Sequence, residues 1–239
     1  MNLKGQRVVV LGGTSGIGFA TAEAAAARGA EVAVVSSRRA GVDRALAALP
    51  GGTVGKVADL SDHSRVRAVL QEIGELDHLV FTAGQALDLM PVATLDLAAA
   101  RDFFAVRYFG ALAAVQAAVP LIRAGGSITL TTGIAKDRPG PGWAVAASIC
   151  GAIESLIRAL AVELSPVRVN AVSPGVVRSP LWASMSETDR QAMYEGVGAA
   201  VPAGRVGEVG DVAPAYLYCM TQGWVTGTVL TVDGGATLV

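Results

Sequence analysis

The sequence predicts one doubly wound α/β domain with helices on both faces of a parallel sheet, and three observations carry that expectation. Short β-rich runs alternate with longer Ala/Leu-rich runs along the whole chain. The β-rich runs are continuously apolar, as strands are when helices cover both sides of the sheet. A glycine-rich turn joins the first such run to the first helical one. Strand–helix–strand alternation requires right-handed crossovers, so the topologies left open are few.

The strands fall at Arg7–Leu11, Glu31–Ser36, Thr53–Ala58, His78–Thr82, Ser127–Thr131, Arg168–Val172 and Val229–Val232. Helices are expected near Gly16–Arg28, Gly41–Leu49, Ser61–Gly74, Leu95–Ile122, Trp143–Leu164 and Asp211–Met220. A length of 239 residues suits one domain, and a chain of that size buries a full core without disulfides or metals. No linker divides it, so residues 1–239 are read as a single unit. The one excursion is 179–203, which carries Trp182, Met185, Met193 and Tyr194 among polar residues. Ligands bind beyond the carboxyl ends of such strands, so this segment is a candidate substrate lid. A plain helical pair on the surface is the alternative.

Composition narrows the function classes. Hydrophobic residues make up 52% and charged residues 16%, which argues against long disordered tails. Nineteen Lys+Arg against 20 Asp+Glu leave a net charge of −1, so no nucleic-acid face is expected. Cys150 and Cys219 are isolated thiols; they suggest a reducing compartment and no metal cage. The opening MNLKGQRVVVLGG lacks a signal-peptide pattern. The uncharged stretch Val212–Val232 is interrupted by Pro214, Gln222, Gly223 and Gly227, unlike a membrane span. A cytoplasmic protein is the expectation.

The run VVVLGGTSGIG points to a dinucleotide site. Gly12 takes the tight turn, while Gly16 and Gly18 let backbone approach phosphate and pack helix on sheet. Thr14, Ser15 and Ile17 complete the loop. The helix opening there presents free N–H groups and a partial positive charge to a pyrophosphate. About 20 residues further on, an acid normally holds the ribose 2′-hydroxyl of NAD. This chain has Ser36, Ser37, Arg38 and Arg39 instead. A guanidinium with hydroxyls suits a 2′-phosphate, favouring NADP(H) over NAD(H). Simple solvation of Arg38 and Arg39 at the next helix is the alternative.

These features resemble the short-chain dehydrogenase/reductase family over nearly the whole chain. The family's TGxxxGxG motif matches Leu11, Gly12, Gly16 and Gly18, and its adenine-site acid matches Asp59, followed by Leu60. Its NNAG motif appears, altered, as Phe81, Thr82, Ala83 and Gly84. Its PG turn beside the nicotinamide matches Pro174, Gly175, Val177 and Ser179, and the closing VDGG gives Asp233, Gly234 and Gly235. The resemblance implies a Rossmann fold with a seven-stranded parallel sheet, a small-molecule substrate, and a homodimer or homotetramer.

The family's catalytic residues are not where the resemblance would put them. Its Tyr and Lys, spaced YxxxK, align with Ala146 and Cys150 in AASICGAIESLIRALAVEL. Its Ser falls on Thr132 and its Asn on Arg107. None of Tyr108, Tyr194, Tyr216 and Tyr218 has a lysine four residues later, and lysine occurs only at Lys4, Lys56 and Lys136. An alanine cannot pass a proton to an alkoxide. General acid–base catalysis contributes only about 10²–10⁴-fold, however, so altered chemistry stays open. Arg107 can act on developing negative charge as a permanent cation, and Thr132 retains a hydroxyl. Lys136, Asp137, Arg138 and Trp143 lie on a loop over the expected site. Cys150 reads as packing. The expected function is an NADP(H)-dependent oxidoreductase with a non-standard proton route. The alternatives are a non-catalytic NADP(H)-binding sensor or partner subunit, and a cofactor-assisted lyase or isomerase.

Overall fold

A computed structural model describes residues 2–239. Seven parallel strands form the central sheet: β1 (Arg7–Leu11), β2 (Glu31–Ser36), β3 (Val54–Val57), β4 (Leu76–Phe81), β5 (Ile122–Thr131), β6 (Arg168–Pro174) and β9 (Val229–Val232). Their spatial order is β3-β2-β1-β4-β5-β6-β9. Helices α1 (Gly16–Ala26), α2 (Arg39–Ala48), α3 (His63–Ile73), α4 (Leu97–Phe104), α5 (Ala111–Ala118), α6 (Ala144–Glu163), α7 (Glu187–Ala200) and α8 (Val209–Thr221) connect them. A two-residue pair, β7 (Val177–Arg178) with β8 (Gly207–Glu208), lies outside the main sheet.

Two apolar clusters, one on each face, hold the sheet. Val9, Leu11, Leu79, Phe81, Ile128 and Leu130 pack under α3, α5 and α6. Val8, Val10, Val34, Val80 and Val172 pack under α1 and α8. Alternate residues of one strand therefore serve opposite faces, and both faces are greasy, which is why the strand runs lack polar alternation. Val10 is paired with Val34 on one side and Val80 on the other. The strand order reverses at β1, so a crevice opens where the carboxyl ends of β1 and β4 diverge; such switch points bind ligands in open α/β sheets.

The structure corrects two expectations and one alternative reading. The single helix expected over Leu95–Ile122 is α4, a wide π-type turn at Ala105–Gly110, α5 and a short 3₁₀ turn at Val119–Leu121. Strand β5 begins at Ile122 rather than Ser127, because Ile122 pairs with Leu76 before the register shifts to His78–Ser127. Gly125, at φ 83°, allows that irregularity. The 179–203 excursion is one helix, α7, preceded by a 3₁₀ turn at Pro180–Trp182, rather than a helical pair. Two helical stretches, Leu97–Leu121 and Ala144–Glu163, have the length and apolarity of a membrane span, yet both pack one side on the sheet.

Candidate functional site

The glycine-rich β1–α1 turn is built by residues that have no room for a side chain. Gly12 sits at φ +91°, and a Cβ there would lie 2.6 Å from the Ala83 amide nitrogen. A Cβ on Gly18 would collide with the Gly12 carbonyl and the Thr82 hydroxyl. The β1–α1 turn is thereby pressed onto the chain leaving β4, where the Thr82 amide donates to Leu11 O at 2.9 Å. Ser15 is the N-cap of α1 but makes no side-chain capping bond, so the first amides of the helix are left for an anion. Gly16 faces Ser179 and Pro180, bringing the start of the 179–203 excursion against this loop.

Ser37 and Arg38 are exposed at the carboxyl end of β2. Arg38 is the N-cap residue of α2 and caps nothing with its side chain. Its neighbour Arg39 reaches Asp43 at 3.7 Å; among the described residues Arg38 has no carboxylate partner. Thr14 stands across from Gly41 on α2. The Asp59 carboxylate accepts from Ser61 N at 2.9 Å and Ser61 Oγ at 2.7 Å, which fixes the loop after β3 and leaves Leu60 buried beside it.

Beyond β4, Gly84 follows Thr82 and Ala83, and β6 delivers Pro174 and Gly175. The Gly175 amide donates to Val232 O at 2.9 Å, and a Cβ on Gly175 would lie 2.8 Å from Asp233 Cα. Asp233 in turn accepts from Gly235 N and Thr237 N, both at 2.9 Å. The closing VDGG is thus a brace for the PG turn. Val177 pairs with Gly207 in the small β7–β8 ladder, which fixes the start of the 179–203 excursion.

Arg107 lies on the π-type turn between α4 and α5. Its guanidinium stacks on Phe103, 4.5 Å from the ring centroid, and Nη2 donates to Gln85 O. Nη1 lies where a Cβ on Gly84 would be only 2.5 Å away, so that glycine makes the room. Nε is buried without an acceptor. Burial disfavours the charged form and pulls this guanidinium down to about 10, while the nearby Cys150 thiol counters slightly. At neutral pH the charge remains.

Cys150, half-buried on α6, faces Gly133 and couples electrostatically to Arg107 and Lys136. Burial raises its thiol above the ordinary value, against the pull of Thr132 and the two cations. It is therefore a protonated thiol at neutral pH, not a thiolate. The Thr132 hydroxyl donates to Cys150 O at 2.9 Å, so its proton is held by the helix backbone, and the hydroxyl also lies against the Cys150 thiol. Ala146 is partly buried on the same helix. Sequence reasoning placed Arg107, Thr132, Ala146 and Cys150 together, and the fold does bring Arg107, Thr132 and Cys150 to one spot.

Glu154 was not anticipated. It lies one turn beyond Cys150 on α6, buried, with Lys136 Nζ 2.9 Å from Oε1. Lys136 also holds Asp137 Oδ1 at 2.6 Å. Burial would lower the ammonium, but the two carboxylates outweigh it and raise it. The loop lysine is thus clamped rather than free. Trp143 packs against Trp182, ring centroids 6.3 Å apart. Trp182 and Tyr194 are buried core residues, and the excursion is tied to the chain after β4 by Leu87 N to Leu181 O at 2.8 Å and Ser184 Oγ to Leu87 O at 2.6 Å.

Comparison with known proteins matches this architecture. The family described as "SDR-like rossmann domain" fits residues 2–239. The short-chain dehydrogenase/reductase ucsE of Acremonium sp is 35% identical, covering 98% of this chain and 96% of its own length. Among solved structures, a small-chain dehydrogenase in complex with NADPH is 35% identical with a TM-score of 0.83, covering 98% of this chain and 99% of its own. The MalC reductase/Diels-Alderase from Malbranchea aurantiaca is 30% identical with a TM-score of 0.92, covering 99% and 98%. With its sheet order, its glycine cradle and these relatives in agreement, the chain belongs to the short-chain dehydrogenase/reductase family.

Proposed function

We propose that the protein is an NADP(H)-dependent oxidoreductase that moves hydride to or from a small organic substrate without a tyrosine–lysine acid–base pair. The observation that carries this reading is the guanidinium of Arg107, held beside Cys150 and Thr132 at the open edge of an intact dinucleotide cradle. A chain that merely bound the dinucleotide would not need a buried cation there, at the desolvation cost such a charge carries. The nicotinamide supplies the hydride. Gly12 through Gly18, with Thr14, Ser15 and Ile17, hold the pyrophosphate. Ser37 and Arg38 take the 2′-phosphate, which an acid would repel, and Asp59 with Leu60 borders the adenine. Thr82, Ala83, Gly84, Pro174, Gly175, Val177 and Ser179 line the nicotinamide end. The complex of a similar dehydrogenase with NADPH supports this choice of cofactor.

Arg107 acts as a fixed positive charge on oxygen that gains electron density as hydride transfers, and the Thr132 hydroxyl oxygen accepts or relays a hydrogen bond. The position aligned with the family's tyrosine is Ala146 and that of its lysine is Cys150, so substrates needing little help from a protein acid suit the site: activated enones and iminium ions. MalC, a similar protein, is a reductase by its description. The test is NADPH oxidation across a panel of carbonyls, enones and iminium ions. Turnover is expected with activated enones and is expected to fall at least about tenfold in Arg107→Gln, whereas an iminium ion, a cation with no oxygen gaining charge, should lose no rate in that variant. Silence across the panel with NADPH tightly bound would leave the second reading, a sensor or partner subunit, which the alanine at 146 favours.

A further inference from the structure

We infer that the substrate carries a carboxylate, or an oxyanion of the same planar geometry, and that Arg107 is its counter-ion. This deepens the functional reading above and rests on it for the location of the substrate. Four ionic side chains lie together by the site on α6 and the loop after β5. Lys136 pairs with Asp137 and Glu154, and Arg158 approaches Glu154 at 3.6 Å. Two cations meet two carboxylates there, and the cluster sums to zero. Arg107 is outside it. Among the described residues no carboxylate lies within ion-pair distance of its guanidinium. Cys150, which faces it, is held protonated by burial and supplies no anion.

The donors of Arg107 are only partly used. Nη2 donates to Gln85 O, Nε is sealed without an acceptor, and Nη1 donates to no protein group and is not sealed. The side chain is gripped on its apolar sides, by Phe103 beneath and Gly84 alongside. A guanidinium fixed in this way, with its charge unbalanced and Nη1 unused and unsealed, keeps a charge-assisted donor for a carboxylate. Placing the cation on the π-type turn while the aligned lysine position holds a small thiol moves positive charge from one wall of the cleft to the other. An anionic substrate then gains its partner without losing solvation to an empty pocket.

The test uses matched pairs that differ only in charge: benzoate with benzamide, and cyclohexanecarboxylate with cyclohexanecarboxamide. Each is titrated calorimetrically into the full-length protein with and without saturating NADPH. The NADPH titration is read first and judges the cofactor assignment independently, because Arg107 is preformed in the protein alone. Each carboxylate is expected to bind about 10–100-fold more tightly than its amide, as a charge-assisted pair does over a neutral one. The ratio is expected to fall to about one in Arg107→Gln and to survive in part in Arg107→Lys. Gly84→Ala keeps the charge but pushes the guanidinium aside, so it lowers the ratio as well and serves if Arg107→Gln does not fold. Equal binding of acid and amide, no carboxylate binding at about 10 mM, or a ratio unchanged in these variants would overturn the inference.

Discussion

Replacing Gly12 by alanine isolates the physical basis of the proposed dinucleotide cradle. Two costs add. At φ +91° an L-residue is strained, by about 1–2 kcal/mol in the left-handed region. The new methyl would also sit 2.6 Å from Ala83 N and 2.8 Å from Ala83 Cα. Both are backbone atoms that cannot swing away, and overpacking of this kind costs about 1–3 kcal/mol. The sum, about 2–5 kcal/mol, is a large share of a stability of order 5–15 kcal/mol. At about 2–4 °C per kcal/mol for a domain of this size, Tm should fall by about 4–20 °C. Differential scanning calorimetry of the protein without dinucleotide measures this, with Gly51→Ala as control, since Gly51 has open space and no positive φ. NADPH affinity should fall at least about tenfold as the turn is displaced from Ala83. A Gly12→Ala protein melting within about 2 °C of the control would show that this turn is not under the constraint described.

The geometry gives four further expected outcomes. Arg38→Asp should weaken NADPH about 10–100-fold by isothermal calorimetry and narrow or reverse the preference over NADH, since the loss is that of a charge-assisted pair; unchanged affinity would show that Arg38 only faces solvent. Restoring Ala146→Tyr with Cys150→Lys places an ammonium against the Arg107 guanidinium, so the pair should yield less carbonyl reduction than the triple variant that adds Arg107→Asn. Equal rates would mean that the two cations do not meet. His78, buried against Ser127 and Gln6, is pulled down to about 4 by burial, with Arg168 reinforcing and Asp77 opposing. The unfolded chain takes up that proton first, so stability is complete above about 6.5 and declines as pH falls toward 4, by up to order 3 kcal/mol. Melts between those limits should flatten in His78→Gln, and parallel slopes would exclude His78 as the cause. Finally, Leu97 and Phe109 are exposed around an apolar hollow of about 300 Å³ on the α4–α5 face. We expect that face to be covered in a homodimer or homotetramer; sedimentation should give a multiple of 24.2 kDa that falls to the monomer in Leu97→Asp/Phe109→Asp.

The sheet was readable in the sequence because its strands are buried on both faces. Runs such as RVVVL and EVAVVS admit no other placement, and β1 and β2 fall as expected. Capping was also legible in principle: Asp62 accepts from Ser64 N and Arg65 N and opens α3 two residues later than hydrophobic periodicity suggests. The early part of β5 was hidden, because Arg123, Ala124, Gly125 and Gly126 carry no strand signal and are extended only through the pairing of Ile122 with Leu76. For the site, residue types were legible but partnerships were not. Glu154 and Lys136 are separated by most of a loop and nearly three turns of helix, and nothing local marks their meeting. Arg107 could be named from its alignment, whereas its lack of a carboxylate is a property of everything around it.

The π-type turn at Ala105–Gly110 ties an indel to the chemistry. A turn of this kind holds one residue more than the α-helix that would replace it. Excising a single residue there would let the chain run as one straight rod, and each residue removed rotates the downstream helix by about 100°. Either α4 or α5 would then turn its greasy stripe away from the sheet, and the charged group at 107 would swing out of the cleft. A length change that a surface loop absorbs silently would here exchange both the packing and the polarity of the pocket at a stroke.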